Sequence, residues 1–264
     1  MGTAILDGLI AAGTDAANIR VSTNTAASAN ALRVKHGIAA FAVEENSAGN
    51  GLATENADVV IVATKPYLVT QVLGSLSTSE LKPDALVVSV AAGITTDAMQ
   101  AALTGANPVV RAMPNTPAIV GRAVTGIALG SRATAQHQKL TEELFATIGK
   151  TLVVAEDQID ALSTISGSGP AYVFLLVEEF TKAAKHHGFT DEEAKLLVNE
   201  TVLGAAELLV ISNRAPEELR RQVTSPNGTT MQAIARMQEA NLDRMFIEAT
   251  DAALKRAREI AAGN

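Results

Sequence analysis

The sequence predicts an α/β protein in two parts, a doubly wound parallel sheet followed by an all-α region. Short apolar runs alternate with amphipathic stretches from residue 18 to about 154, as in βαβ units, whereas the later residues show only long helical periods. The length of 264 residues also exceeds the usual size of a single hydrophobic core. We therefore predict two domains, 1–155 and 156–264.

A helix is predicted at the start of the chain. Ile5, Leu9 and Ile10 lie at spacings that place them on one helical face, and Gly13 is positioned to end the helix. In α/β domains, a helix with a glycine this close to its beginning usually follows a buried strand. No such strand precedes it in this sequence.

Strands and helices then alternate. The segment ADVVIVAT (57–64) is apolar at nearly every position, which is typical of a parallel strand buried on both faces. The other predicted strands are 18–22, 38–42, 84–93, 107–113, 123–130 and 151–155, and the helices between them are 25–36, 66–76, 95–104 and 134–148. This alternation predicts a parallel sheet with helices on both faces.

The C-terminal region is predicted to contain long helices. Thr190 begins the sequence TDEE, which places acids in the first turn of a helix, and Gly188 follows the preceding helix as a C-cap glycine would. Aromatic residues make up only 3% of the chain, so Ala-rich faces must pack closely or form a subunit interface. The predicted helices are 168–187, 190–212, 228–239 and 242–262.

Composition restricts the function. The chain carries 21 Lys and Arg against 28 Asp and Glu, a net charge of −7, which argues against nucleic acid or an anionic membrane as the partner. The lack of cysteine excludes disulfides, thiolate metal sites and a cysteine nucleophile. Neither a leader nor a membrane span is predicted. The expected location is therefore the cytoplasm.

Three strand ends carry residues suited to a ligand. Lys65-Pro66, Ala92-Gly93 and the segment MPNTP (113–117) each follow a predicted strand, and doubly wound sheets bind ligands beyond these ends. The segments suit a dinucleotide that lies across them. The alternative is that these prolines and glycines only end the strands.

The end of strand 18–22 bears on the choice of cofactor. An acid at this position would bind the ribose 2′-hydroxyl of NAD, whereas a 2′-phosphate needs donors. Ser22, Thr23 and Asn24 stand there, which favours NADP. The same residues could serve only as the N-cap of helix 25–36.

Five segments of the chain resemble, in their order and spacing, segments of pyrroline-5-carboxylate reductases. They are ADVVIVATKP, VVSVAAGI, VVRAMPNTP, DQIDALSTISGSGPAYVFLLVEEF and PEELRRQVTSPNGTTMQAIARMQE. The resemblance covers nearly the whole chain, and SGSGPAY and SPNGTT are its most specific motifs. It implies a Rossmann-like domain, a helical substrate-binding and dimerisation domain, and hydride transfer from NADPH or NADH to pyrroline-5-carboxylate.

The resemblance also bears on the start of the chain. Family members begin with a strand and a glycine-rich turn that ends GNMGxAI, and residues 1–5 match its last part. Gly2 then corresponds to the last glycine, and the strand and first two glycines are expected to lie upstream, with Met1 an internal methionine of a longer chain. Without that strand, its neighbours in the sheet would have unpaired edges.

Residue-by-residue comparison implies the cofactor contacts. Asn50 is placed to reach the adenosine ribose, and a Rossmann-like turn would hold the phosphates. The implied cofactor-binding residues are Gly2, Thr23, Asn50, Ala63, Thr64, Lys65, Pro66, Ala91, Ala92 and Gly93.

The substrate contacts are expected in SPNGTTM (225–231). Backbone N–H groups at the start of helix 228–239 can bind a carboxylate, although an ordinary N-cap is the alternative. Family resemblance assigns the hydroxyl of Thr230 to the imine nitrogen, as an orienting group. The implied substrate-binding residues are Ser225, Gly228, Thr229, Thr230 and Glu156, and Asn227 replaces a common family glycine.

Other assignments remain open. A catalytically silent oligomerising relative, or a reductase of another small cyclic imine, would share much of the pattern. A β-hydroxyacid dehydrogenase would need a catalytic lysine, but Lys182 and Lys185 lie on an ordinary charged helix face. Self-association as a dimer or decamer is expected. His36, His137, His186 and His187 show no metal-binding spacing, so no metal is predicted.

Overall fold

The computed structural model describes residues 1–76 and 81–261. Contacts divide the chain into two units, which we call the first unit (Met1–Ser168 with residues 254–261) and the second unit (Gly169–Ala253). The predicted domain border after residue 155 remains a prediction. Residues 156–168 group with the first unit because side chains of this segment bind Thr96 and Arg111.

The first unit contains the predicted alternation of strands and helices. Each predicted strand overlaps an observed one. The strands are β1 (Arg20–Thr23), β2 (Ala39–Ala42), β3 (Val59–Val62), β4 (Leu86–Ser89), β5 (Val109–Met113), β6 (Ala123–Leu129) and β7 (Gly149–Val153). The helices are α1 (Gly2–Ala11), α2 (Ala26–His36), α3 (Gly49–Thr54), α4 (Pro66–Ser75), α5 (Thr96–Ala102), α6 (Ala135–Ala146) and α7 (Ile159–Leu162).

The strands form a two-stranded sheet, β1-β2, and a five-stranded sheet of order β3-β4-β5-β6-β7. All pairs are parallel except β5–β6. Only the short 3₁₀ segment Thr116–Val120 connects β5 to β6, which is too short for a parallel crossover. In the described part of the chain no strand joins β1 to β3. The predicted Rossmann-like class is confirmed, with this one antiparallel pair added.

Helices cover both faces of the five-stranded sheet. On one face, Ile5 of α1 and Phe145 of α6 pack with Val88 and Val110. On the other face, side chains of α4 and α5 pack around Val87. Successive residues of β4 therefore face opposite cores, as a doubly wound sheet requires.

The second unit is helical, as predicted. Thr190 and Glu193 form a capping box at the start of α9, and Gly188 has the positive φ of +94° expected after α8. Pro216–Gln222 is a helix that periodicity did not predict, because it is only two turns long. The helices are α8 (Gly169–His186), α9 (Asp191–Ser212), α10 (Pro216–Gln222), α11 (Thr229–Gln238) and α12 (Leu242–Ala261), whose last residues belong to the first unit.

Apolar side chains of the second unit are largely exposed in the single chain. Among its residues, only Ala194 and Val198 belong to the buried hydrophobic core. Helix α8 exposes Phe174, Leu176 and Phe180. None of the described helices is both long and apolar enough to cross a lipid bilayer.

Candidate active site

The start of α1 lies against the carboxyl end of β3. A Cβ atom added to Gly2 would come within 3.1 Å of the Cβ of Ala63, which is tighter than ordinary side-chain contact. A larger residue at position 2 would therefore fill this space. The structure brings together two of the residues that family resemblance assigns to the cofactor.

The turns after β3 and β4 leave the same edge of the sheet, since these strands are parallel neighbours. After β3, Ala63, Thr64 and Lys65 are exposed, and Pro66 is the first residue of α4. After β4, Ala91 is buried, Ala92 is exposed and Gly93 has a φ of +74°, in the left-handed region. This backbone-rich edge suits an extended ligand.

Asn50 lies beside the end of β1. The hydroxyl of Ser22 donates a hydrogen bond to Oδ1 of Asn50 at 2.7 Å, which joins β1 to α3. Thr23, the last residue of β1, donates from its hydroxyl to the backbone oxygen of Thr25 at 3.0 Å. Sequence reasoning assigned Thr23 and Asn50 to the cofactor but missed the pairing with Ser22, because α3 was not predicted.

An acid that sequence reasoning did not single out also lies at this end of β1. Oε1 of Glu44 accepts a hydrogen bond from the backbone N–H of Ala26 at 2.6 Å. Ala26 is the first residue of α2. Glu44 follows β2, so its position beside β1 depends on the pairing of the two strands, which the local pattern around Glu44 does not reveal.

Glu156 belongs to a partly buried charged network in the first unit. Its two carboxylate oxygens accept hydrogen bonds from Thr96, one from the backbone N–H at 2.6 Å and one from the hydroxyl at 2.5 Å. Arg111, only 3% exposed, places Nη1 4.0 Å from Glu156 and Nη2 2.6 Å from Oδ1 of Asp160. The carboxylate of Glu156 thus holds the start of α5, which follows Gly93.

Arg111 is a signal that sequence reasoning left unused. It interrupts the apolar strand VVRAM, and a buried cation requires acidic partners. Glu156 and Asp160 are those partners, and of the two only Glu156 was given a role from the sequence, in substrate binding.

Asn115 holds the segment that leads into α8. Its side-chain amide donates to the backbone oxygen of Ser166 at 2.8 Å, and its Oδ1 accepts from the N–H of Val124 at 2.9 Å. Ser163–Gly167 forms a π-helical turn. A Cβ on Gly167 would come within 2.8 Å of the hydroxyl oxygen of Ser163, so a larger residue there would require the Ser163 side chain to shift.

The predicted substrate turn lies in the second unit. The N–H of Gly228 donates to the backbone oxygen of Ser225 at 3.1 Å, and Asn227 has a φ of +57°. Proline at 226 followed by positive φ is the pattern of a type II turn. A Cβ at position 228 would lie 2.4 Å from the hydroxyl oxygen of Ser225 and 3.1 Å from its backbone oxygen, so a larger residue there would require Ser225 to shift.

This turn delivers the chain into α11. Gly228 is the N-cap and has no side chain with which to cap the helix. The N–H groups of Thr229, Thr230 and Met231 have no intrahelical acceptor, because they belong to the first helical turn. They and the helix dipole can bind an anion. Thr230 is half-buried in this turn, and it is the second residue of α11.

Metal ligation is not indicated by any cluster in the described residues. Residues 1–76 and 81–261 contain no group of three His, Asp or Glu placed to hold a metal ion. His137 instead accepts a hydrogen bond at Nδ1 from the N–H of Thr134, at the start of α6.

Comparison with known proteins places these features in a family. Residues 156–260 match the family described as "Pyrroline-5-carboxylate reductase dimerisation", and residues 1–93 match "NADP oxidoreductase coenzyme F420-dependent". A pyrroline-5-carboxylate reductase of Pseudomonas aeruginosa is 38% identical over 99% of this chain and 93% of the relative. The chain belongs to the pyrroline-5-carboxylate reductase family.

Solved structures agree with this assignment. A pyrroline-5-carboxylate reductase from Coxiella burnetii has a TM-score of 0.91, with 37% identity over 98% of this chain and 94% of its own. The pyrroline carboxylate reductase of Plasmodium falciparum, solved with NADP bound, is 23% identical over 99% of this chain and 94% of its own, with a TM-score of 0.81. The second likeness concerns the fold alone. The resemblance predicted from SGSGPAY and SPNGTT is confirmed.

Proposed function

We propose that this chain reduces 1-pyrroline-5-carboxylate to L-proline, the last step of proline biosynthesis, with a nicotinamide cofactor as hydride donor. Membership of the pyrroline-5-carboxylate reductase family supports the reaction. The observation that carries the substrate assignment is the turn Ser225–Gly228, because it leaves the first N–H groups of α11 open to a carboxylate.

The cofactor is proposed to bind at the strand ends of the first unit. The close approach of Gly2 to Ala63 suits the passage of a pyrophosphate, since a side chain at position 2 would fill that space. We propose that Asn50 and Thr23 contact the adenosine ribose and that the turns after β3 and β4 contact the remainder of the cofactor. The full set is Gly2, Thr23, Asn50, Ala63, Thr64, Lys65, Pro66, Ala91, Ala92 and Gly93.

The cofactor supplies a hydride to the carbon of the C=N bond, and the imine nitrogen keeps the proton that makes it electrophilic. Ser225, Gly228 and Thr229 are proposed to bind the substrate carboxylate. The hydroxyl of Thr230 orients the nitrogen by hydrogen bonding; threonine is too weak an acid to act as a strong proton donor. Binding and orientation are therefore the main tasks of these residues.

Glu156 enters this proposal as a positioning residue. Both of its carboxylate oxygens are already hydrogen-bonded to Thr96, which follows the proposed cofactor turn at Ala91–Gly93. Its role is to hold the start of α5, and with it the turn, while Arg111 balances its charge.

NADPH is the proposed cofactor, with NADH as a second substrate. Donors rather than an acid stand directly at the end of β1, in Ser22, Thr23 and Asn24. The Plasmodium falciparum relative was solved with NADP. The cytoplasm is the proposed location. A chain without cysteine has no disulfide that a reducing compartment would break.

Self-association is proposed to occur through the second unit, as a dimer that can build a decamer. The family description of residues 156–260 names dimerisation. Phe174, Leu176 and Phe180 of α8 are exposed in the single chain, and a partner copy would bury them.

The substrate assignment is tested with two cyclic imines, 1-pyrroline-5-carboxylate and 1-pyrroline, which lacks the carboxylate. We expect kcat/KM for 1-pyrroline to be at least about a hundredfold lower, because the N–H groups at α11 would then hold no anion. Equal kcat/KM values would favour a general cyclic-imine reductase. Nucleotide binding without reduction of either imine would identify a catalytically silent relative.

A further inference from the structure

The segments after β1 and β2 differ in charge from a typical phosphate-binding surface. Residues 22–30 contain neither lysine nor arginine, and residues 41–48 contain two acids, Glu44 and Glu45, and no base. In doubly wound proteins, residues at the end of a strand in the position of β1 contact the ribose 2′ group of the dinucleotide. The local charge there is negative.

Glu44 is fixed beside the end of β1 by its backbone as well as its side chain. The N–H of Glu44 donates to the backbone oxygen of Asn24 at 3.1 Å, and the N–H of Val43 donates to that of Thr23 at 2.9 Å. The carboxylate then accepts from the N–H of Ala26 at 2.6 Å. A phosphate that arrived at this N–H would have to displace the carboxylate.

The cations of the neighbouring elements are bound elsewhere. Arg33 donates from Nε and Nη2 to the backbone oxygen of Ala40, at 2.9 and 2.6 Å. Lys35 forms an ion pair with Asp7 at 2.9 Å. Both lie in the last turn of α2, at the opposite end of the helix from Ala26. They do not offset the charge of Glu44.

We propose that Glu44 is a specificity-determining residue that lowers the preference of this enzyme for NADPH over NADH. Its carboxylate can accept a hydrogen bond from a ribose 2′-hydroxyl but repels a 2′-phosphate. The inference rests on the proposed use of a nicotinamide cofactor. It opposes the effect of Ser22, Thr23 and Asn24, which favour the phosphate.

The test replaces Glu44 by glutamine. E44Q keeps an oxygen that can accept from Ala26 and removes only the charge. E45Q is the matched control, because Glu45 is an exposed neighbour with the same charge, and its carboxylate makes no hydrogen bond within the described residues. Dissociation constants for NADPH and NADH are measured by nucleotide fluorescence on the full chain, together with kcat/KM where turnover occurs.

We expect E44Q to raise the NADPH:NADH affinity ratio by about tenfold, which lies between the effect of one unit-charge repulsion over a few ångströms in bulk water and that near a protein surface. E45Q should change the ratio less than about twofold, because its carboxylate is not held at the N–H of Ala26 and solvent screens its charge. An unchanged ratio in E44Q, or equal shifts in both variants, would overturn the proposal.

The same experiment separates this inference from the proposed function. If wild type binds nucleotide but does not reduce pyrroline-5-carboxylate, the reaction proposal fails while the affinity ratio still decides the role of Glu44. If the wild-type chain binds neither NADPH nor NADH, both the proposed function and the specificity proposal fail. Circular dichroism of each variant shows whether it is folded.

Discussion

The two units of the molecule differ in how far they bury their apolar side chains. The first unit encloses two hydrophobic clusters on opposite faces of its sheet, and its buried Arg111 forms an ion pair with the half-buried Asp160. The second unit buries Ala194 and Val198 and leaves aromatic side chains such as Phe174 exposed. The first unit has a core of its own, whereas the second is the part that a partner copy would complete.

This difference also separates the chemical tasks. The first unit offers strand ends with little side-chain obstruction, at Gly2 and Gly93, which suits a long cofactor. The second unit offers a helix start whose N–H groups lack a side-chain cap, which suits a small anion. A variant in the second unit should therefore leave cofactor binding measurable, and a variant in the first unit should leave self-association measurable.

The largest expected effect follows from F174R in α8. Phe174 is 68% exposed in the single chain, and a charge in an apolar interface would be desolvated without a partner. We expect dimer affinity to fall by at least about a hundredfold, as for a central aromatic contact. Sedimentation measures this effect, and K182Q, on the same helix, is the control. A dimer of unchanged affinity in F174R would show that this face of α8 is not the interface.

The next effect concerns Thr230. We expect T230V to lower kcat by about a hundredfold with little change in KM for NADPH, since only orientation of the imine is lost. T230S keeps the hydroxyl and should retain most of the activity. If T230V has the wild-type kcat, the hydroxyl does not contact the reacting atoms.

A smaller effect is expected from E156A in the first unit. Loss of the carboxylate leaves the N–H and hydroxyl of Thr96 without their acceptor, and it leaves Asp160 as the remaining acidic partner of Arg111. We expect the free energy of unfolding to decrease by about 2 kcal/mol, as measured by urea denaturation. The control is D157A, an exposed neighbouring acid. A KM for pyrroline-5-carboxylate that rises while stability is unchanged would indicate direct substrate contact instead.

The smallest effect concerns Glu193 in the second unit. Hydrogen bonds from the N–H and hydroxyl of Thr190 lower the pKa of the Glu193 carboxyl below its ordinary value of 4.5. The capping box therefore contributes stability above that pH and loses it as the pH falls through the lowered pKa. Titration by NMR should give Glu193 a pKa below 4.5. A pKa of Glu193 at or above 4.5 would contradict the capping box.

The sequence predicts the strands and long helices well because burial imposes a period on each. It does not predict that β6 runs antiparallel to β5, since apolar alternation carries no direction. Helix α3 (Gly49–Thr54) is too short and too rich in glycine to show a period.

The sequence predicts only those parts of the site that are built from adjacent residues. Local motifs such as SPNGTT identify the turn before α11, because its shape is built from adjacent residues. The role of Glu44 depends on a contact across paired strands, and the role of Glu156 on a contact with Thr96, 60 residues away. Such contacts leave no local pattern, although Arg111 within an apolar strand does signal a need for acids.

The most direct test of the account is to incubate the full chain with NADPH and 1-pyrroline-5-carboxylate and to quantify both NADPH oxidation and proline. The account predicts one L-proline for each NADPH oxidised, and turnover about a hundredfold slower in T230V while NADPH still binds. NADPH binding by the wild-type chain with no proline formed would contradict it, because the helix start at α11 would then hold no substrate for reduction.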